Sequence, residues 1–131
     1  MRVNVIGPAK TTQFLLEAGL LSPSARIMNM TSGLGSMVVS LSIEPRKCAT
    51  YSISKAALNA LTVQQSGEVR EKLGKAVIIC MDPGWVKTRM GGAGAVLEAE
   101  KSIGGMLKCV QGLTDESNGK FFTYTGKEVP W

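Results

Sequence analysis

A tyrosine and a lysine four residues apart form the most informative pair in this chain. Tyr51 and Lys55 are separated by Ser-Ile-Ser, and on a helix this spacing places both side chains on one face. A free phenol, with a pKa of ~10, is a poor acid or base at neutral pH, but a nearby positive charge favours the phenolate. We therefore expect Lys55 to lower the pKa of Tyr51 and make it a general acid or base.

A serine about one loop upstream supplies the third group of this predicted site. Ser32 lies in the segment Asn29–Gly33, and its neutral hydroxyl can hold a carbonyl or alcohol oxygen next to the phenol. The alternative interpretation is an ordinary one, in which Tyr51 begins a helix, Lys55 lies on a solvated helix face and Ser32 belongs to a turn.

The elements that would position these residues alternate between helix and strand. Apolar periodicity and turn residues predict, in chain order, a helix Val3–Leu20, a strand Arg26–Thr31, a loop Met37–Cys48 closed by Pro45, a helix Thr50–Leu73, a strand Ala76–Met81, a helix Leu97–Leu113 and a strand Lys120–Tyr124. This alternation implies right-handed crossovers and a three-stranded parallel sheet, which is half of a doubly wound α/β fold. Ser32 and Pro83-Gly84 both come just after strands, where ligands bind in open α/β sheets.

Composition predicts one domain and excludes several classes of partner. The 131 residues are 44% hydrophobic, which suffices for one core. Fifteen Lys and Arg against ten Asp and Glu give a net charge of +5, but the basic residues are scattered, so no nucleic-acid partner is predicted. No apolar run approaches the ~20 residues of a membrane span. Three cysteines without any histidine indicate neither a disulfide framework nor a metal site, and we expect a reducing, cytoplasmic location.

The order of the motifs resembles the short-chain dehydrogenase/reductase family. Ser32 is followed by Tyr51 and Lys55 at a helix start, and Met81–Thr88 (Met-Asp-Pro-Gly-Trp-Val-Lys-Thr) follows an apolar run. The resemblance covers essentially the whole chain, but only the second half of the family fold. It implies that residues 1–131 form a partial domain: the C-terminal half of a Rossmann-type doubly wound parallel sheet, with about three strands and three helices.

The resemblance implies an NAD(P)-dependent oxidoreductase that interconverts a small-molecule carbonyl and an alcohol. Tyr51 would be the general acid/base, Lys55 would lower its pKa and hold the nicotinamide ribose, and Ser32 would orient the substrate oxygen. Asn4 matches an asparagine whose backbone carbonyl anchors a water in the family's proton relay. An inert residue near the start of a helix is the equal alternative for Asn4.

A second group of residues matches the family's contact with the nicotinamide carboxamide. This group comprises Pro83, Gly84, Val86 and Thr88, and the alternative is a simple turn at the end of a strand. Thr88–Gly92 and Gly119–Phe122 also resemble the branch that contains C-factor-type and sniffer-type carbonyl reductases. This narrower resemblance slightly favours NADP over NAD as the cofactor.

One family feature is absent from the sequence. Family members begin with a strand and a Gly-rich turn that seats the cofactor pyrophosphate, whereas Gly33-Leu34-Gly35 and Gly92-Ala93-Gly94 do not complete G-x-G-x-x-G. We therefore expect the domain to lack the Gly-rich cofactor-binding half. A truncated, non-catalytic fragment that acts as an interaction module, or has no independent activity, is the alternative function. Related enzymes pair through the helices that would correspond to Val3–Leu20 and Thr50–Leu73, so a homo-oligomer is also expected.

Overall fold

A three-stranded parallel sheet forms the centre of the computed structural model, which describes residues 1–44 and 48–131. Its strands, in spatial order, are β1 (Arg26–Met30), β2 (Val77–Asp82) and β3 (Phe121–Thr123). Met30 pairs with Met81, and Cys80 pairs with Phe121. The predicted α/β class and the parallel three-stranded sheet are confirmed.

Four α-helices precede or connect these strands in the part of the chain that the structure describes. They are α1 (Gly7–Glu17), α2 (Met37–Leu41), α3 (Ala49–Leu73) and α4 (Ala99–Gln111). A π-helical turn over Arg2–Ile6 precedes α1, and Pro8, which has no amide hydrogen to donate, lies in the first turn of that helix. The helix predicted to reach Leu20 ends earlier because Gly19 takes a positive φ of 65°. The predicted helix start at Val3 falls in the π-helical turn, and the remaining predicted bounds agree with the structure to within two residues.

The prediction of a loop over Met37–Cys48 is wrong in its first part, where α2 forms. The Ser36 hydroxyl caps this helix by accepting a hydrogen bond from the Val39 amide at 3.0 Å. The same hydroxyl donates to the carbonyl oxygen of Pro130, which ties the helix start to the far end of the chain. A five-residue helix is too short to be stable alone, so this long-range contact explains why local periodicity missed it. Pro45, predicted to close the loop, lies outside the described residues.

Strand β2 is covered on both faces, as its apolar run predicts. One face packs in a cluster of Val77, Ile79, Met81, Met106 and Leu113. The other contributes to a cluster of Leu16, Val69, Ala76 and Ile78. Helix α4 lies very close to the chain beyond β3, because a Cβ atom on Gly105 would lie 2.4 Å from the Tyr124 carbonyl oxygen. This packing holds the carboxyl end of β2 between helices on either side of the sheet.

Strand β1 lies at one edge of the sheet. Its pairing with β2 uses one side, and within the described ranges no strand pairs with the other. A groove of about 540 Å³ lies along this region, and its lining includes Val3, Leu15, Met28 and Lys55. The edge therefore presents backbone polar groups and apolar side chains together.

Candidate active site

Ser32, Tyr51 and Lys55 come together where strand β1 ends against the first turns of α3. The Lys55 Nζ atom lies 5.7 Å from the centre of the Tyr51 ring, as the four-residue spacing predicts. Ser32 follows β1 and begins a 3-10 turn over Gly33–Gly35, where its Oγ accepts a hydrogen bond from the Leu34 amide at 3.2 Å. The Ser32 hydroxyl is near enough to the Tyr51 phenol to influence the pKa of that phenol. A hydroxyl, a phenol and an ammonium thus share one small region.

The pKa of Tyr51 moves in the opposite direction to the one expected from Lys55. Burial is the largest influence and raises the pKa of the phenol, while the Ser32 hydroxyl lowers it. Coulombic interactions with Asp82 and Cys48 raise the pKa of the phenol further. Desolvation outweighs the favourable effect of Ser32, so Tyr51 is held in its protonated form at neutral pH.

Lys55 is held at the end of β1 rather than directed into solvent. The residue is 9% exposed, and its Nζ donates a hydrogen bond to the Met30 carbonyl oxygen at 2.7 Å. Burial lowers the pKa of the Lys55 ammonium, and a Coulombic interaction with Cys80 acts in the opposite direction. Met30 uses one of the three N–H donors that an ammonium carries. The surface-lysine alternative does not describe this side chain.

Asn4 is linked to helix α3 through a residue that sequence reasoning missed. The Asn4 Nδ2 donates to the Ser54 Oγ at 2.9 Å, and that hydroxyl donates to the Tyr51 carbonyl oxygen at 2.7 Å. Asn4 lies in the π-helical turn, an irregularity that is frequent at functional sites. Ser54 is buried one turn from Tyr51. The sequence signal for it was a polar residue between Tyr51 and Lys55. The relay role of the Asn4 backbone stays a prediction.

The Pro83–Thr88 segment lies at the same end of the sheet as Ser32. The Thr31 amide donates to the Met81 carbonyl oxygen at 2.8 Å, so the chain leaves β1 and β2 at neighbouring points. Gly84 has a φ of 79°, and a Cβ there would lie 2.8 Å from the Leu97 Cδ2 atom. Glycine is therefore required on conformational and steric grounds.

The rest of this segment is fastened to the chain around α4. The Pro83 carbonyl oxygen accepts a hydrogen bond from the Ser102 hydroxyl at 2.7 Å, and Val86 forms a parallel bridge with Leu97. Thr88 is exposed, and its Oγ1 accepts from the Gly91 amide at 3.1 Å. The segment is a well-fastened turn at the predicted location. Its contact with a carboxamide remains a prediction.

Asp82 is a charged residue near Ser32 that sequence reasoning did not single out. It ends β2, and its Oδ1 accepts a hydrogen bond from the Gly84 amide at 3.0 Å. A Cβ on Gly33 would lie 3.2 Å from its Oδ2, which places the carboxylate beside the Ser32 turn. An acidic residue immediately after a buried apolar strand was the signal for it.

Sequence comparison identifies the family of this chain. A model of the short chain dehydrogenase family matches residues 1–95. C-signal of Myxococcus xanthus is 36% identical over 129 residues, which cover 98% of this chain and 75% of that protein. The chain belongs to the short-chain dehydrogenase/reductase family.

Solved structures share the fold over the whole chain or most of it. The carbonyl reductase Sniffer of D. melanogaster is 28% identical with a TM-score of 0.82, and the match covers 99% of this chain and 55% of that one. A carbonyl reductase from chicken fatty liver, solved with NADPH bound, is 39% identical with a TM-score of 0.74, covering 85% of this chain and 45% of that one. The chain therefore spans about half the length of these solved relatives. The narrower resemblance to sniffer-type carbonyl reductases is confirmed.

Two other kinds of feature are absent from the described residues. Among the described residues, no group of three or more His, Cys, Asp or Glu side chains is placed to hold a metal ion. Within the same ranges, no helix combines the length and apolar character needed to cross a membrane.

Proposed function

We propose that this sequence carries the proton-transfer half of an NAD(P)-dependent carbonyl reductase that acts on a small-molecule carbonyl or secondary alcohol. The observation that carries the proposal is the cluster of Ser32, Tyr51 and Lys55 at the carboxyl ends of the parallel strands. NADP is favoured over NAD because a relative at 39% identity was solved with NADPH bound.

The residues present fit the nicotinamide end of such a cofactor. The buried Lys55 side chain would hold the ribose through its ammonium, and the turn containing Pro83, Gly84, Val86 and Thr88 would receive the carboxamide. Among the described residues, the Gly33–Gly35 turn is not free to take the pyrophosphate end, because the amides of Gly35 and Ser36 already donate to the carbonyl oxygens of Ser32 and Gly33. When bound, the cofactor would supply the hydride. We propose that the family's Gly-rich half is needed to complete the cofactor-binding site.

The chain's own residues would donate the proton and stabilise the negative charge that develops. Tyr51, kept protonated by burial, would donate its phenolic proton to the substrate oxygen as a general acid. The Ser32 hydroxyl would donate a hydrogen bond to the same oxygen, where negative charge develops. Lys55 would stabilise the phenolate that remains, since its ammonium lies 5.7 Å from the ring centre. A raised phenol pKa favours reduction at neutral pH and moves alcohol oxidation to higher pH.

A fusion protein tests this proposal. The first half of the family fold, taken from Sniffer, is placed ahead of Met1, and NADPH oxidation is followed with a panel of aldehydes and ketones. We expect carbonyl-dependent oxidation by the fusion and none by the 131-residue chain or by the Sniffer half alone. A fusion that is folded and binds NADPH, but reduces no carbonyl, would contradict the proposal and support the non-catalytic interaction module.

We also propose that the chain forms a homo-oligomer. Phe14 on α1 is 63% exposed and Ile53 on α3 is 59% exposed, and these are the helices through which the family resemblance implies pairing. The open edge of β1 offers a second route, because unpaired strand edges recruit other strands. Both features favour association over a monomer.

Light scattering on the purified chain at micromolar concentration should therefore show a dimer or larger species. Phe14→Glu should shift this distribution toward the monomer, because a carboxylate cannot be buried at an apolar interface without a partner. Leu107→Glu is the matched control, since Leu107 is 57% exposed on α4, away from both proposed surfaces. A compact, persistent monomer of the unmodified chain would refute the proposed assembly.

A further inference from the structure

We propose that Asn59 is a positioning residue that clamps the Ser32-bearing loop onto α3 and thereby sets the position of the Ser32 hydroxyl beside the Tyr51 phenol. The inference rests on the proposed role of Tyr51 as the proton donor. No motif that identified the site includes Asn59.

The side-chain amide of Asn59 holds the loop at two points. Its Oδ1 accepts a hydrogen bond from the Thr31 hydroxyl at 2.6 Å, and its Nδ2 donates to the Gly35 carbonyl oxygen at 3.1 Å. Thr31 directly precedes Ser32, and Gly35 closes the 3-10 turn that Ser32 begins. One amide therefore bridges the two ends of the segment that carries the serine.

Asn59 also lies on the same helix face as the proposed catalytic pair. Tyr51, Lys55 and Asn59 are spaced by four residues along α3, so their side chains follow one another along the helix. Asn59 is 3% exposed, and its two hydrogen bonds are made away from competing water. An amide suits this place because its Oδ1 and Nδ2 present an acceptor and a donor on two separate atoms, whereas a hydroxyl offers both functions on one oxygen and an apolar side chain offers neither.

The loop lies so close to α3 that a small displacement would be felt at Ser32. A Cβ on Gly35 would lie 2.9 Å from the Lys55 carbonyl carbon, so the loop rests directly on the helix backbone. Without the clamp, the loop can move away from α3, and the Ser32 hydroxyl moves with it. Because the Ser32 hydroxyl lowers the pKa of Tyr51, moving it away should raise that pKa.

The test follows the titration of Tyr51 directly and needs no turnover. The 131-residue chain is labelled with 3-fluorotyrosine, whose phenol titrates at lower pH than that of tyrosine, and fluorine NMR is recorded across pH. The chain has two tyrosines, so Tyr124→Phe assigns the signals. Asn59→Leu should raise the pKa of residue 51 by at least half the rise caused by Ser32→Ala. The double variant should show no more than the Ser32→Ala rise, since both changes act through the Ser32 hydroxyl.

Thr62→Val is the matched control. Thr62 is fully buried on the same helix and accepts a hydrogen bond from Asn29 Nδ2 at 2.9 Å, but it does not touch the Ser32 loop. It should cost stability and leave the Tyr51 titration unchanged. If Asn59→Leu does not fold, the near-isosteric Thr31→Val removes one of the two clamp bonds and should raise the pKa in the same direction.

The outcomes separate this inference from the proposed function. A folded Asn59→Leu or Thr31→Val chain with an unchanged Tyr51 pKa would overturn the clamp, as would a double variant whose two effects simply add. An inactive fusion in which Asn59 and Ser32 still couple would overturn the carbonyl reductase proposal alone.

Discussion

Replacing Tyr51 with phenylalanine in the fusion that carries a complete cofactor site should lower carbonyl reduction by about 10²- to 10⁴-fold, the usual contribution of a positioned acid. Phenylalanine keeps the ring beside Lys55 and removes only the hydroxyl that would donate the proton. The affinity for NADPH should stay nearly unchanged, because the phenol is invoked for proton transfer. Steady-state turnover and calorimetric NADPH binding, measured on the same preparation, distinguish these effects.

The matched control is Tyr124→Phe, which removes the chain's other phenolic hydroxyl. Tyr124 follows β3 and contacts the groove beside α4, so its replacement should leave turnover close to that of the unmodified fusion. Carbonyl reduction at an undiminished rate by the Tyr51→Phe fusion would remove Tyr51 from the proposed mechanism. Equal losses in the two variants would indicate a general effect on folding.

The 131-residue chain alone should bind NADPH at or above the millimolar range, which corresponds to only ~4 kcal/mol. Its residues fit the nicotinamide end, and the pyrophosphate end lacks the Gly-rich turn and helix N-terminus that the family uses. Completing the site in the fusion should bring the dissociation constant to about the micromolar range, a gain of roughly 4 kcal/mol. Isothermal titration calorimetry on both proteins measures the difference.

Reduced nicotinamide mononucleotide is the control ligand for this comparison. It lacks the adenosine part, so the isolated chain and the fusion should bind it with similar, weak affinity. A low micromolar dissociation constant for NADPH on the isolated chain would show that residues 1–131 hold the pyrophosphate by other means, and the division of the cofactor site proposed here would be wrong.

Local sequence spacing determined the larger part of the fold and the main part of the candidate site. The alternation of helices and strands and the two-faced burial of β2 follow from patterns within short windows, because helical and extended periodicities are properties of neighbouring residues. The pairing of Tyr51 with Lys55 follows from helix geometry in the same way.

Only the tertiary structure decided how the residues of the candidate site are held and in which direction the pKa of Tyr51 moves. Asn4 and Ser54 are 50 residues apart in sequence, and Thr31 and Asn59 are 28 apart, so no local window relates them. The lysine in the motif predicted a lowered pKa for Tyr51, whereas burial raises it. Desolvation depends on what the whole fold places around a side chain, and this is why spacing predicted the proximity of Tyr51 and Lys55 but not the direction in which the pKa of Tyr51 moves.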